Sequence, residues 1–296
     1  MTNKKIYITL PRLFADGAFV ELPVENSTIA FEDSKPTASL STPIAYCLPG
    51  IGDFRHSYRF LAPILQHAGF RVIAQDLRGF GDSGTTFNNY TIESIALDVI
   101  TVLDSLHITQ PVVLFANSLA AACGVTLAAE HPHRIAAIIS LGGFFRDMPK
   151  DKYFRPLTYL LFNRFWGQPA WIAAYKGFFA QPPSDLPTYA AAIKHKMLSN
   201  CAHAGIIGQM IRATKEHAWA KINAAKTPVL LIMGSRDPDF ETPVEETDFV
   251  ASQISCSQLV VKSMVNGAGH YPHVEFTEEV ARMTMDFLRK ASILPN

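Results

Sequence analysis

The chain has no excess of either charge. Its 26 Lys and Arg balance 26 Asp and Glu, and only 18% of its 296 residues are charged. It therefore lacks the electrostatic footprint expected of a protein that binds a phosphate backbone or an anionic membrane surface. Long apolar runs are also missing. Although 48% of residues are hydrophobic, too many for a disordered chain, no uninterrupted run approaches the roughly 20 residues of a membrane span. Cysteines are few: Cys47, Cys123, Cys201 and Cys256 lie far apart with no CxxC pair, which suggests neither a disulfide framework nor a zinc knuckle. A reducing, cytoplasmic setting is expected. The basic start at Lys4 and Lys5 leads into an apolar stretch that Pro11 and Arg12 break too early for a signal peptide. Repeats and low-complexity tracts are absent as well. What remains is a globular chain with length for one large domain or two moderate ones.

From about residue 43, short apolar runs alternate with longer segments of helical period, the pattern of a parallel sheet covered on both faces. An α/β architecture follows. Expected strands are Ile44 to Leu48, Phe70 to Asp76, Val112 to Ala116, Ile135 to Leu141, Val229 to Met233 and Gln258 to Val261. Ile92, Ile95, Val99, Val102, Leu103 and Leu106 share one face of a helix that Thr91 can cap. Before residue 43, Ile6 to Leu10, Ala18 to Leu22 and Thr28 to Phe31 read as antiparallel edge strands joined by turns.

Between Gly143 and Lys221 the alternation stops, and helical periods run on without a convincing strand. A helical lid over 143–221 is expected, inserted between a core formed by 1–142 and 222–296. The lid is dense in aromatics, among them Phe144, Phe145, Phe165, Trp166 and Trp171. Singly, such residues pack an insertion onto its neighbour. Together they also supply what an apolar substrate pocket needs, and Phe144, Phe145, Trp166 and Trp171 are the candidate substrate contacts.

One serine stands where a buried strand meets a helix of small residues: Val112-Val113-Leu114-Phe115-Ala116-Asn117-Ser118-Leu119-Ala120. A nucleophile on so sharp a turn needs small residues two before and two after it, and Ala116 and Ala120 meet that demand without matching G-x-S-x-G. An ordinary serine cap would read the same way locally. Serine needs a base to become a nucleophile. His270 lies in Asn266-Gly267-Ala268-Gly269-His270-Tyr271-Pro272-His273, a loose loop after the last strand that can reach the carboxyl edge of the sheet, where ligands bind. His273 is the backup. The acid that orients the imidazole is expected at Asp237, after Val229 to Gly234, ahead of Asp239 and Asp147. An Asp before Pro238 also forms turns on its own account. Backbone N–H groups of Leu119 and of Ile51, in Leu48-Pro49-Gly50-Ile51-Gly52-Asp53, are the candidate oxyanion donors.

With these motifs in hand, the chain resembles the serine-nucleophile branch of the α/β-hydrolase superfamily, of the lidded esterase and C–C hydrolase type. The resemblance rests on Leu48 to Asp53, Asp76 to Gly84, the turn at Ser118, Gly234 to Asp237, and Gly269 to Glu275, with Ser, Asp and His in that family's order. It implies the α/β-hydrolase fold, a mostly parallel twisted sheet with helices on both faces, and a Ser118, Asp237, His270 triad. It departs from the family at Pro49-Gly50, where many members have His-Gly. The superfamily also includes aspartate-nucleophile epoxide hydrolases and dehalogenases, against which Ser118 argues. Asp76, Arg78 and Ser83 become scaffold residues in this reading.

Gly79-Phe80-Gly81-Asp82-Ser83-Gly84 fits G-x-G-x-x-G literally, but a polar loop follows where a dinucleotide site needs a helix N-terminus. No cofactor is expected. Nor is a metal: His131 with His133, and His270 with His273, lack a third ligand at recognisable spacing. The expected activity is a carboxylesterase-like hydrolysis of a largely apolar, uncharged, small-molecule acyl substrate, with no nucleic-acid partner. C–C hydrolysis, lactonase or perhydrolase chemistry on the same triad remains the alternative, as does a non-catalytic ligand-binding role.

Overall fold

The computed structural model describes residues 10–35, 37, 39, 42–163 and 166–295. Along the chain it forms β1 (Ala18–Val24), β2 (Ser27–Asp33), β3 (Ile44–Leu48), α1 (Leu61–His67), β4 (Arg71–Gln75), α2 (Ile92–Ser105), β5 (Val112–Asn117), α3 (Ala120–Glu130) and β6 (Ile135–Leu141). There follow α4 (Asp151–Leu161), α5 (Gly167–Gly177), α6 (Leu186–Ser199), α7 (Ala202–Arg212) and α8 (Glu216–Ala220). The chain then returns through β7 (Val229–Gly234), α9 (Pro243–Gln253), β8 (Val260–Val265), α10 (Pro272–Glu275) and α11 (Thr277–Lys290). One sheet runs in the order β1-β2-β4-β3-β5-β6-β7-β8. The β1–β2 and β2–β4 pairs are antiparallel and all the others parallel.

The central strands bury both faces because alternate residues point to opposite sides. Ile44, Tyr46 and Leu48 of β3 join Leu114 and Ala116 of β5 in a core shared with α2 and α3. Ala45 and Cys47 join Val113 and Phe115 in a second core beneath α1 and α11. Helix α2 forms as its periodicity predicts, with the Ser94 amide donating to the Thr91 hydroxyl at 3.3 Å. Its Ile92, Ile95, Val99, Val102 and Leu103 are fully buried, each stabilising by roughly 1.5–3 kcal/mol. Helix α3 lies close to the sheet because Gly124 leaves no room: a Cβ there would stand 3.1 Å from Leu114 Cδ2 and 3.3 Å from Ile138 Cγ2.

Strand order positions the site. From β3 the chain goes one way to β4 and then crosses back to β5 on the other side, so the carboxyl ends of β3 and β5 flank the point where the winding reverses. Ligands bind at such a crevice. The loop Pro49 to Asp53 and the turn at Ser118 both begin there.

One expectation shifts. The last strand is Val260–Val265, not Gln258 to Val261, paired from Val229↔Val260 to Gly234↔Val265. Being an edge strand it is only partly buried, so its apolar signal is weak. The expected strand Ile6 to Leu10 lies outside the described residues except for Leu10, and Phe165 likewise. No helix among the described residues is long and apolar enough to cross a membrane.

Candidate active site

Strand β5 ends at Asn117, and Ser118 turns the chain with φ +58°, a left-handed conformation that costs a non-glycine residue of order 1–3 kcal/mol. Three backbone hydrogen bonds hold it there. The Ser118 N–H donates to Leu141 O at 3.0 Å, and its carbonyl accepts from Ala121 N at 3.1 Å and Phe144 N at 3.0 Å. Ala116 and Ala120 are completely buried on either side, so larger residues would force the turn apart. The loop after β3 passes directly over it. A Cβ on Gly50 would stand 2.9 Å from Asn117 Oδ1 and 3.0 Å from Ser118 Cβ.

That loop is gripped from the helical segment between β6 and β7. Buried Asp53 accepts from the Tyr189 hydroxyl at 2.7 Å, the Phe54 amide at 2.7 Å and the Tyr175 hydroxyl at 3.1 Å. Burial pushes its carboxyl up, against these three donors. Trp171 Nε1 donates to Gly52 O at 3.3 Å. Sequence reasoning quoted Asp53 only as the end of a loop. Its partners lie 122 and 136 residues away, and nothing in the linear pattern announces them.

Asp237 and His270 come from neighbouring loops pressed together. At the end of β7 a Cβ on Gly234 would overlap the carbonyl oxygens of Gly269 and Ala268, so glycine there lets the two loops touch. Arg236 N donates to Ala268 O at 2.9 Å, and Gly267 N donates to Ser235 Oγ at 2.9 Å. His270 Nδ1 then lies 2.8 Å from Asp237 Oδ2, both side chains buried. Asp237 Oδ1 meanwhile accepts from the Asp239 amide at 3.0 Å, so one carboxylate both shapes the turn and orients the imidazole. Asp239 Oδ2 is 3.6 Å from the same nitrogen. Burial alone would lower the His270 pKa, but Asp237 and Asp239 outweigh it and raise the value to about 9.

The other candidates fall elsewhere. Asp147 pairs with Arg155 at 2.6 Å and accepts from the Thr214 hydroxyl at 2.8 Å, not with the histidine. His273 is fully buried, its ring stacked on Tyr58 with centroids 5.0 Å apart and neither ring nitrogen hydrogen-bonded. It packs the core, and burial pushes its pKa down to about 3. The loop Gly79 to Gly84 closes on itself, Gly79 N to Gly84 O at 2.9 Å. Arg78 is spent on Asp98 at 2.7 and 2.8 Å, so these are scaffold contacts. Among the described residues, the convergence of metal-ligand types is Asp237, Asp239 and His270, with atoms within 4.8 Å of one another. It is the same hydrogen-bonded set.

Ser118, Leu119, Ile51 and His270 open on one cavity of about 280 Å³. Phe144 and Trp171 line it as expected; Phe145 and Trp166 do not. Phe145 follows Phe144 but turns inward, 4% exposed, within the core shared with α2 and α3. Trp166 is 48% exposed and donates from Nε1 to Leu160 O at 2.8 Å, at the outer surface of the helical segment. The other lining aromatics are Phe154, Phe162 and Phe178, which belong to the aromatic-rich segment expected as a lid without being singled out as contacts, and Tyr271. Lys150, Asp151, Lys215 and Asp239 interrupt the apolar wall, which an uncharged ligand alone does not call for.

Comparison with known proteins agrees with this architecture. A family model described as alpha/beta hydrolase fold matches residues 44–277. Over 116 residues the chain is 34% identical to bifunctional epoxide hydrolase 2 of Mus musculus, covering 38% of this chain and 20% of that protein. Over 120 residues it is 32% identical to haloalkane dehalogenase 1 of Mycobacterium bovis, covering 40% of this chain and 39% of that one. The chain thus matches well under half the length of these curated relatives. A solved thermophilic esterase from Thermogutta terrifontis superposes with TM-score 0.71 at 25% identity, covering 94% of this chain and 99% of that one.

Proposed function

The chain belongs to the alpha/beta hydrolase fold family, and from that premise we propose that it is a serine hydrolase cleaving a largely apolar acyl compound, most simply a carboxylic ester. Ser118 attacks the acyl carbon. His270, held through Nδ1 by Asp237, takes the serine proton on Nε2 and returns it to the leaving group. Leu119 and Ile51 offer backbone N–H groups to the developing oxyanion, and water then frees the acyl-enzyme. Residues 143–221 act as a cap over the cavity. The free state of Cys47, Cys123, Cys201 and Cys256 suits a reducing cytoplasm.

The observation that carries this reading is the Asp237 to His270 hydrogen bond at 2.8 Å opening on the same cavity as a serine held at φ +58°. Chemistry favours an acyl carbon over the epoxides or haloalkanes named for the relatives. Displacement at an alkyl carbon by Ser118 would leave an ether, which water does not cleave, whereas an acyl-serine ester turns over. Fluorophosphonate labelling followed by peptide mass spectrometry tests it. Modification of Ser118 in the folded wild type, lost in His270→Ala, is the expected result. A folded protein whose Ser118 stays unlabelled, and which hydrolyses no activated ester, is instead a ligand-binding protein.

A further inference from the structure

Lys215 is 6% exposed yet contributes to the wall of the cavity that holds Ser118 and His270. It sits between α7 and α8, and its backbone N–H donates to Asp147 Oδ1 at 3.0 Å. Its ammonium pairs with that same oxygen only at a long 3.6 Å, beyond the usual N–H···O distance. The Asp147 carboxylate is already engaged by Arg155 and Thr214. A buried ammonium is costly unless it is paired and hydrogen-bonded. Burial lowers the Lys215 pKa, and the Asp147 and Asp151 carboxylates that face it offset this only in part. Lys150, also in the wall, donates from its ammonium to the Asp239 carbonyl at 2.5 Å.

Phe144 fixes how far this cation stands from the chemistry. Its ring centroid lies 5.7 Å from the Lys215 ammonium and 5.9 Å from the His270 ring centroid, so one aromatic side chain touches both. Resting on the reading of Ser118 as nucleophile, we infer that the substrate carries an anionic group, a carboxylate, at the end remote from its scissile carbonyl, and that Lys215 binds it. The apolar wall takes the stretch between. The substrate class is then a monoester whose acyl or alcohol part ends in a carboxylate, which replaces the uncharged compound expected from the sequence. A largely buried ammonium in that wall favours such an anion over a neutral isostere.

Two matched pairs of esters test this. The acyl side is probed by 4-nitrophenyl hydrogen glutarate against 4-nitrophenyl pentanoate, the alcohol side by 4-acetoxybenzoate against its methyl ester. In at least one pair, wild type favours the anionic member in kcat/KM. Lys215→Met lowers that anionic-to-neutral ratio by roughly ten- to a hundredfold, as expected for losing a charged hydrogen bond, and Lys215→Arg restores most of it. A lysine that only props up the fold would leave the ratio unmoved. Should neither ratio change more than twofold in Lys215→Met, the inference fails while the serine-hydrolase reading stands. Should wild type cleave none of the four esters, Lys215 is judged on binding alone, and the serine-hydrolase reading fails if fluorophosphonate also leaves Ser118 unlabelled. In that case monomethyl glutarate must bind wild type at least tenfold tighter than methyl pentanoate, and Lys215→Met must abolish the difference. Equal binding overturns the inference.

Discussion

Gly142 and His270 are in direct contact: a Cβ on Gly142 would stand 2.7 Å from the His270 carbonyl oxygen and 3.2 Å from its Nδ1. The same Cβ would lie 3.3 Å from Asp237 Oδ2, and Gly142 has φ +57°. The end of β6 thus forms the seat on which the Asp237–His270 pair rests. Gly142→Ala is expected to displace the imidazole and lower kcat on an activated ester by about a hundredfold, while the protein still folds. An alanine variant with wild-type kcat would show that the seat tolerates the methyl group.

Ser118→Ala, His270→Ala and Asp237→Asn are each expected to cost about a thousandfold or more in kcat, and the double variants little beyond the worst single one, because the three act as a unit. Steady-state kinetics on purified, folded variants checks this. Additive losses would mean that the groups work separately.

The pH profile follows from the two carboxylates near His270. Only the neutral imidazole can take the serine proton, and its pKa is raised to about 9. The kcat/KM of a neutral ester should therefore climb with pH up to about 9 and level off above it. Asp239→Asn removes one negative neighbour and should move that limb to lower pH. The same bound proton stabilises the fold: its contribution is complete below 6.5 and disappears as pH rises through about 9. A wild-type limb at or below 6.5 would remove Asp239 from this account.

His273 works in the opposite sense. Its folded pKa is depressed to about 3, so the unfolded chain binds the extra proton first, and stability drops as pH falls below 6.5. At pH 5 this amounts to about 2 kcal/mol. Urea unfolding at pH 7.5 and pH 5 should show that difference shrinking in His273→Phe, whose ring can keep the stack on Tyr58. An undiminished difference would assign the acid sensitivity to other groups.

Asp53 couples the loop after β3, proposed to hold an oxyanion donor, to the helical segment through Tyr175 and Tyr189. Asp53→Asn keeps the shape but turns an acceptor oxygen into a donor facing one of these hydroxyls. Its expected effect is a roughly tenfold or greater loss in kcat with a smaller change in KM, since loop position matters most in the transition state. Matching losses in kcat for Tyr189→Phe would support the shared hydrogen bond; a pure KM effect in both would argue for a substrate-binding role.

Much of this molecule is written in local pattern. Short apolar runs, buried on both faces, produce strands β3 to β7 near their expected ends, a threonine caps α2, and alanines two residues either side of Ser118 leave room for its turn. Each depends on neighbours within a few residues, where steric and hydrogen-bonding rules act directly. The choice among distant partners does not. Asp237 and Asp147 both follow strands, and only the packing of the His270 loop against Gly234 brings the former to the imidazole and leaves the latter to Arg155. Phe144 and Phe145 are chemically identical neighbours, yet one faces the cavity and the other the core. Which way each points, and whether Lys215 meets solvent or a ligand, is decided by how the helices stack on the sheet, and that stacking has no period along the chain.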